Sequence, residues 1–258
     1  MSSMKRRVRA DFWWPGMDQG VERFVRACVA CMCSGKSHKS EETTIVASQF
    51  PEKPWQKLAI DICGPFSSTG VEGKWAIVLV DYFSKWPEVA FGRDIRSKCV
   101  ISFCEEIFRR EGYPGCLVSD NGPQFVADNF QKFLKKAGIV HHRIAGYHPR
   151  EYGLVERFNC VLKECVQLAE DEGKCVLDAV KAMLWNYRNT PHTATGVTPF
   201  VLLKGREANT AVTPALMHKI MIAECGRNKL MRAVVRKVAE CQVKYVQRHN
   251  IKVRRNGR

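Results

Sequence analysis

Apolar runs at residues 56–63, 74–83 and 87–92 are short, bounded by turn residues and rich in β-formers, and they predict three strands in a meander. From 97 to 111 the period lengthens, and Val100, Phe103, Cys104, Ile107 and Phe108 fall on one stripe of a helix. A strand at 115–119, a helix at 125–137 and a strand at 139–145 follow, then helices near 154–171 and 175–188 and a short apolar segment at 198–205. A meander followed by alternating helix and strand implies an α/β domain with a mixed sheet covered by helices on both faces. Ahead of it, residues 1–11 are basic and weakly patterned, and Asp18 is placed to cap a small helix with Val21, Phe24, Val25 and Cys28 on one face. Residues 34–53 are polar and punctuated by proline, which reads as a linker. Behind the domain, residues 224–247 predict a helix bearing Leu230, Val234, Lys237, Cys241 and Tyr245, and no internal repeat is present.

Composition narrows the partners. With 258 residues and 45% apolar content, the chain holds one sizeable domain plus smaller flanking pieces, which excludes disorder throughout. A net charge of +15 calls for a polyanion, with nucleic acid first and a basic ribosomal or chromatin-type protein as the bland alternative. Residues 216–258 carry twelve Lys or Arg against two acids, which suits either a solvated tail or an arm for nucleic acid or a partner protein. WAIVLV ends at Asp81 and is too short to span a bilayer, and the basic N-terminus lacks the apolar core of a signal peptide. An intracellular location without a membrane partner is therefore expected. Of twelve cysteines, nine are scattered singly through strands and helices; most are expected to be buried thiols rather than disulfides.

The chemistry concentrates in residues 115–160. Asp120 closes a strand, Glu156 opens a helix, and Asp61 sits in the apolar run LAIDICGPF, where an ionised carboxylate is costly without a cation or donor. Taken singly, SDNG is a strand-ending turn with Asn121 and Gly122 suited to positive φ. Glu156 alone is a first-turn glutamate, and Asp61 alone a paired buried acid. Taken together, Asp61, Asp120 and Glu156 with SDNGPQF and VERFN around them resemble the retroviral and gypsy-type LTR-retrotransposon integrases. The resemblance runs over roughly residues 4–205, through FWWPGMD at 12–18, CxxC at 28–31, PWQKLAIDICGPF at 54–66, VDYFSKWPE at 80–88 and the TPH and GVTP segments at 190–199. Asp81, Asp94 and Asp128 lack such context.

What the resemblance implies is a ribonuclease H-like catalytic core at 54–205, behind a remnant of a zinc-binding domain at 1–35 and a linker at 36–53, with a basic, helical extension at 206–258. It implies a polynucleotidyl transferase that processes DNA ends and joins element DNA to target DNA. Asp61, Asp120 and Glu156 would hold two Mg²⁺ or Mn²⁺ ions, Asp61 bridging both. Candidate nucleic-acid contacts are Asn121, Gln124, Tyr147, His148, Arg150, Arg157, Asn159 and Lys163. The partners would be element ends, target DNA and further copies of the chain, in the nucleus or cytoplasm.

Two stretches depart from that pattern. The family's YHPQ, small residue and Asn-Gly become YHPREYGLVER, and Tyr152 cannot cap a helix as Asn does, a loss of about 1 kcal/mol. A misplaced Glu156 would slow the reaction about 100-fold. In the family Cys28 and Cys31 would share zinc with two upstream histidines; here no histidine precedes His38, and Cys33 and His38 could substitute only at a spacing that matches no familiar zinc pattern. Stable zinc binding is not expected, and the two cysteines are expected to pack beneath Trp13 and Trp14. These departures support an alternative, a non-catalytic or fragmentary derivative that binds DNA or a protein. A ribonuclease H-like nuclease acting on a hybrid is disfavoured by WWPGMD and VERFN.

Overall fold

In the computed structural model, which describes residues 2–28, 50–66, 73–144, 149–209 and 224–256, the five runs read as strands form one sheet. They are β1 (Lys57–Cys63), β2 (Trp75–Asp81), β3 (Pro87–Gly92), β4 (Cys116–Ser119) and β5 (Val140–Arg143), in the order β3-β2-β1-β4-β5. β1 and β3 run antiparallel to β2, whereas β4 runs parallel to β1 and β5 parallel to β4. The sheet is mixed, as the pattern predicts. β2 is buried on both faces from Ala76 to Val80, which is why it reads as an unbroken apolar run.

Helices cover both faces. The stripe of α3 (Ser97–Glu111) is buried as expected, and α3 packs on α4 (Pro123–Val126) and α5 (Asp128–Lys136). Those last two replace the single helix expected at 125–137. Ala127, with φ −59° and ψ 138°, breaks the helix, and Asp128 restarts it with an acid in the first turn, where the helix dipole favours one. On the opposite face α6 (Pro149–Asp171) lies on β1 and β2 and against α7 (Val176–Arg188). Leu154, Val155, Phe158, Leu162 and Val166 of α6 join Ala59, Cys63, Val78, Val80 and Val118 of the sheet in one core cluster.

The start of α6 corrects an expectation. The helix begins at Pro149, not near 154, because a proline fits the first helical turn, where its missing N–H has no intrahelical partner to lose. Tyr152 therefore lies inside the helix and has no cap to make. The turn joining β2 to β3 is closed by Asp81, which is fully buried and accepts the Ser84 N–H at 2.9 Å, the Ser84 hydroxyl at 2.6 Å and the Phe83 N–H at 3.3 Å. Burial pushes its carboxyl above the ordinary range against those donors. Gly122 also differs from expectation: its φ is −56°, and it caps α4 instead of taking a left-handed turn.

Residues Lys53–Arg188 form one compact unit, and Met1–Glu52 with Asn189–Arg258 form another. The second contains α1 (Ser2–Asp11), α2 (Met17–Ala27), α8 (Pro199–Lys204) and α9 (Glu224–Asn256). The weakly patterned N-terminus is helical because Arg7 reaches Asp11 at 2.9 Å one turn on and Arg6 Nε donates to the Pro191 carbonyl at 2.9 Å. Gly16, left-handed at φ 75°, is the N-cap of α2, so Asp18 sits in the first turn instead of capping. Met17 and Val21 are buried, but Phe24 is 70% exposed, so the expected apolar face ends at Val21. Trp13 and Trp14 are 80% and 42% exposed, and Cys31, one of the two cysteines expected beneath them, lies outside the described residues.

In α9 the buried face narrows to Val234 and Val238, one turn apart, while Lys237 and Cys241 of the expected stripe are exposed. The nine described cysteines are all free, and only Cys63 and Cys104 are buried. Helical periodicity explains two of the exposed ones, Cys160 of α6 and Cys241 of α9, which fall on outward faces, while Cys175 lies in the loop before α7. Among the described residues no helix is long and apolar enough to cross a membrane.

Candidate active site

Two of the three acids meet through strand register. β1 and β4 pair in parallel up to Ala59 opposite Val118, and two residues beyond each partner come Asp61 and Asp120. Side chains alternate along strands, so both acids fall on the face of Ala59 and Val118, which is the face that α6 covers. Adjoining strands lie about 4.8 Å apart, so the two acids are set side by side where β4 ends.

The helix that bears the third, α6, is tied to β1. Asn159 Nδ2 donates to Asp61 Oδ2 at 2.6 Å, across 98 residues of chain. Glu156 precedes Asn159 by three residues, a spacing that puts both on one face of a helix with Cβ atoms about 5–6 Å apart. Glu156 itself is exposed, and among the described residues no three acids, histidines or cysteines are gathered closely enough to hold a metal ion. Asp61 Oδ1 accepts the Ile62 N–H at 2.8 Å, and Asp120 Oδ1 accepts the Gly122 N–H at 2.9 Å.

Asn159 is the residue the sequence reading placed differently. Expected at the DNA surface, it is 7% exposed and bound to Asp61. The signal was available, since Asn159 follows Phe158 on the inward side of the helix. Its Oδ1 is buried without a hydrogen-bond partner among the described residues. An acceptor left so costs about 1–3 kcal/mol. Of the other expected contacts, Asn121, Arg157 and Lys163 are exposed and Gln124 is half-buried. Arg150 lies in the first turn of α6, whereas Tyr147, His148 and the cysteine Cys31 fall outside the described residues.

Beneath Asp120 lies a polar chain that sequence reasoning missed. Ser119 is fully buried, its hydroxyl donates to the Asp120 carbonyl at 2.8 Å, and His141 Nε2 lies 2.9 Å from Ser119 Oγ. Burial, with Arg143 and His142 adding repulsion, lowers the His141 pKa to about 4 from 6.5. Between those two values the unfolded chain binds more protons than the folded one. Stability is thus expected to fall as pH drops from 6.5 towards about 4, and to lose nothing more from this group below that. Urea unfolding of the wild type and His141→Gln across this window checks it: the variant should lose less, and parallel curves would refute the assignment.

Comparison with known proteins places these elements. Residues 51–149 match the integrase core domain, and residues 1–37 match the integrase zinc binding domain. The chain is 34% identical over 211 residues to the uncharacterized protein K02A2.6 of Caenorhabditis elegans, covering 81% of this chain and 16% of that one. It is 30% identical over 211 residues to the Gag-Pol polyprotein of feline leukemia virus, covering 80% of this chain and 12% of the polyprotein. The chain thus spans less than a fifth of the length of these relatives. Among solved structures, a chain of the simian T-cell lymphotropic virus intasome, in complex with the PP2A regulatory subunit B56 gamma, shares the fold with a TM-score of 0.52 at 23% identity, over 74% of this chain and 68% of that chain.

Proposed function

Since the chain carries an integrase core of the retroviral and retrotransposon kind behind a zinc-binding-like N-terminal region, we propose that it is a polynucleotidyl transferase of a gypsy-type element. It processes DNA ends and transfers them to target DNA through Asp61, Asp120 and Glu156. The bond from Asn159 to Asp61 carries this reading, because it ties the helix bearing Glu156 to the strand beside Asp120.

The donor set suits Mg²⁺ or Mn²⁺: carboxylate oxygens are hard ligands, and Asn159 Oδ1, which has no hydrogen-bond partner among the described residues, leaves a buried acceptor beside Asp61. Asp61, Asp120 and Glu156 would hold the ions, which when bound activate the attacking hydroxyl and stabilise the departing oxygen in an in-line displacement at phosphorus. Asn159 orients Asp61 by pinning Oδ2. Arg157 and Lys163, exposed on the same helix as Glu156, are placed to take phosphates of the DNA strand. Joining of a short duplex by the purified chain with Mn²⁺ tests the proposal; no product under conditions where the chain is folded and binds DNA would sink it.

A second reading, a non-catalytic derivative that keeps the fold and binds DNA or a protein, draws on the exposure of Glu156 and on the lack of a gathered metal cluster among the described residues. Both readings allow DNA binding. Lys229, Arg232, Arg236 and Lys244 are exposed on α9, and replacing all four by Gln is expected to flatten the dependence of log affinity on log salt. Each lost phosphate contact should reduce that slope by about 0.9. An unchanged slope would make α9 a solvated helix.

A further inference from the structure

Ser119 does not share a face with the acids. Alternation along β4 turns Val118 and Asp120 towards α6, and Leu117 and Ser119 towards the other side of the sheet. Ser119 spends its one proton on the Asp120 carbonyl at 2.8 Å, so the ring nitrogen 2.9 Å away, His141 Nε2, must donate to Ser119 Oγ. His141 Nδ1 is then an acceptor. Gln131 Nε2 supplies the donor at 2.9 Å and gives its other proton to the Phe125 carbonyl at 2.6 Å. The edge-to-face contact of His141 with Phe130, centroids 5.7 Å apart, holds the ring in that plane. Every donor has one acceptor, and only a neutral imidazole protonated on Nε2 completes the chain.

We propose that the Gln131, His141 and Ser119 chain is a positioning device for Asp120, fixing from beneath the sheet the peptide that carries its carboxylate into the acidic site. The inference rests on the metal-site reading above. Asp120 lies two residues beyond the last pair of β4 with β1 and one beyond its last pair with β5, so no ladder holds it. The Ile144 N–H bonds the carbonyl of Ser119 at 2.9 Å, but the carbonyl of Asp120 is held by the Ser119 hydroxyl. On the carboxylate itself, the Gly122 N–H takes Oδ1 at 2.9 Å. With the peptide fixed at one end and Oδ1 at the other, the orientation of the carboxylate follows. Metal ligands must be held to within about 0.5 Å and 10–20° to work. None of the three residues touches the reacting atoms; they act through Asp120.

The test titrates Mn²⁺ into the intact chain by calorimetry and measures kcat and KM for DNA joining, for the wild type, Ser119→Ala, Ser119→Thr, His141→Leu and His141→Gln. Ser119→Ala and His141→Leu are expected to weaken Mn²⁺ binding and lower kcat by about 10- to 100-fold, as loss of a ligand-orienting partner does, with KM for DNA unchanged. Ser119→Thr keeps the hydroxyl and His141→Gln keeps an N–H donor in place of Nε2–H, and each should recover most of the loss. A chain that served packing alone would lower the melting temperature of Ser119→Ala while leaving its Mn²⁺ affinity and kcat at wild-type values, which overturns the proposal. Asp120→Asn separates the two readings. If it abolishes Mn²⁺ binding while Ser119→Ala and His141→Leu do not weaken it, the positioning role alone falls. If wild-type Mn²⁺ binding is indifferent to Asp120→Asn, the metal-site reading falls and the positioning role falls with it.

Discussion

Asp61→Asn, Asp120→Asn and Glu156→Gln are each expected to cut metal-dependent DNA joining by about 100-fold or more while leaving DNA affinity nearly unchanged. Each replaces an anionic ligand by a neutral amide of the same shape, so the loss falls on charge and metal binding, not on packing. Affinity for DNA comes from phosphate contacts by Lys and Arg, and removing a nearby negative charge cannot weaken these. The three variants are not equivalent in stability. Glu156 is exposed, so Glu156→Gln should unfold as the wild type does, whereas Asp61 accepts from Asn159 at 2.6 Å and Asp61→Asn disturbs that bond. Product formation on a labelled duplex with Mn²⁺, together with a binding isotherm, measures both. Retained joining in Asp61→Asn or Asp120→Asn would remove the acidic site from the mechanism. Retained joining in Glu156→Gln alone would leave a two-acid site.

Phe158→Ala is expected to cost about 3–5 kcal/mol in urea unfolding, the usual loss for truncating a buried phenylalanine. The ring is 1% exposed and meets Tyr187 edge-on with centroids 5.2 Å apart, so it anchors α6 to α7 and to the sheet. A domain is stable by about 5–15 kcal/mol, so the loss is a large share of the whole. It would also loosen the helix next to Asn159, and joining should fall even in the fraction that remains folded. Phe24→Ala is the control: at 70% exposure it is expected to change stability by less than about 0.5 kcal/mol. Equal effects at the two positions would refute the packing described for α6.

The elements most legible in the sequence were those whose burial follows one clean period. The five stripe residues of α3 are all buried, and β2 is buried on both faces, because a single apolar stripe or an unbroken apolar run admits one way of covering itself. α1 escaped because its helix rests on ion pairs and on Arg6 reaching Pro191, a contact between residues 185 apart that no local pattern encodes. The break at Ala127 escaped too, since alanine is the best helix former and only its backbone angles betray the turn. At the site, the acids could be named from the residues around them, but the roles of the uncharged partners could not. Asn159, Ser119 and His141 are ordinary surface-type residues in sequence. What makes them matter is the strand register and the helix crossing that bury their polar atoms against Asp61 and Asp120.

The link from Asn159 to Asp61 also dates the assembly of the site. β1 can pair with β2 as soon as the first hairpin has been made, since the two are local in sequence. Its parallel partner β4 comes only after α3, and the helix that clamps Asp61 starts later still, at Pro149. Contacts that close such long loops form late in folding, because chain entropy must be given up before they return anything. A growing polypeptide on the ribosome could therefore complete the meander while its acidic centre was still open. On the function proposed above, the capacity for chemistry would arrive only after residue 159 had emerged, so an unfinished chain would carry the scaffold without its clamped acid.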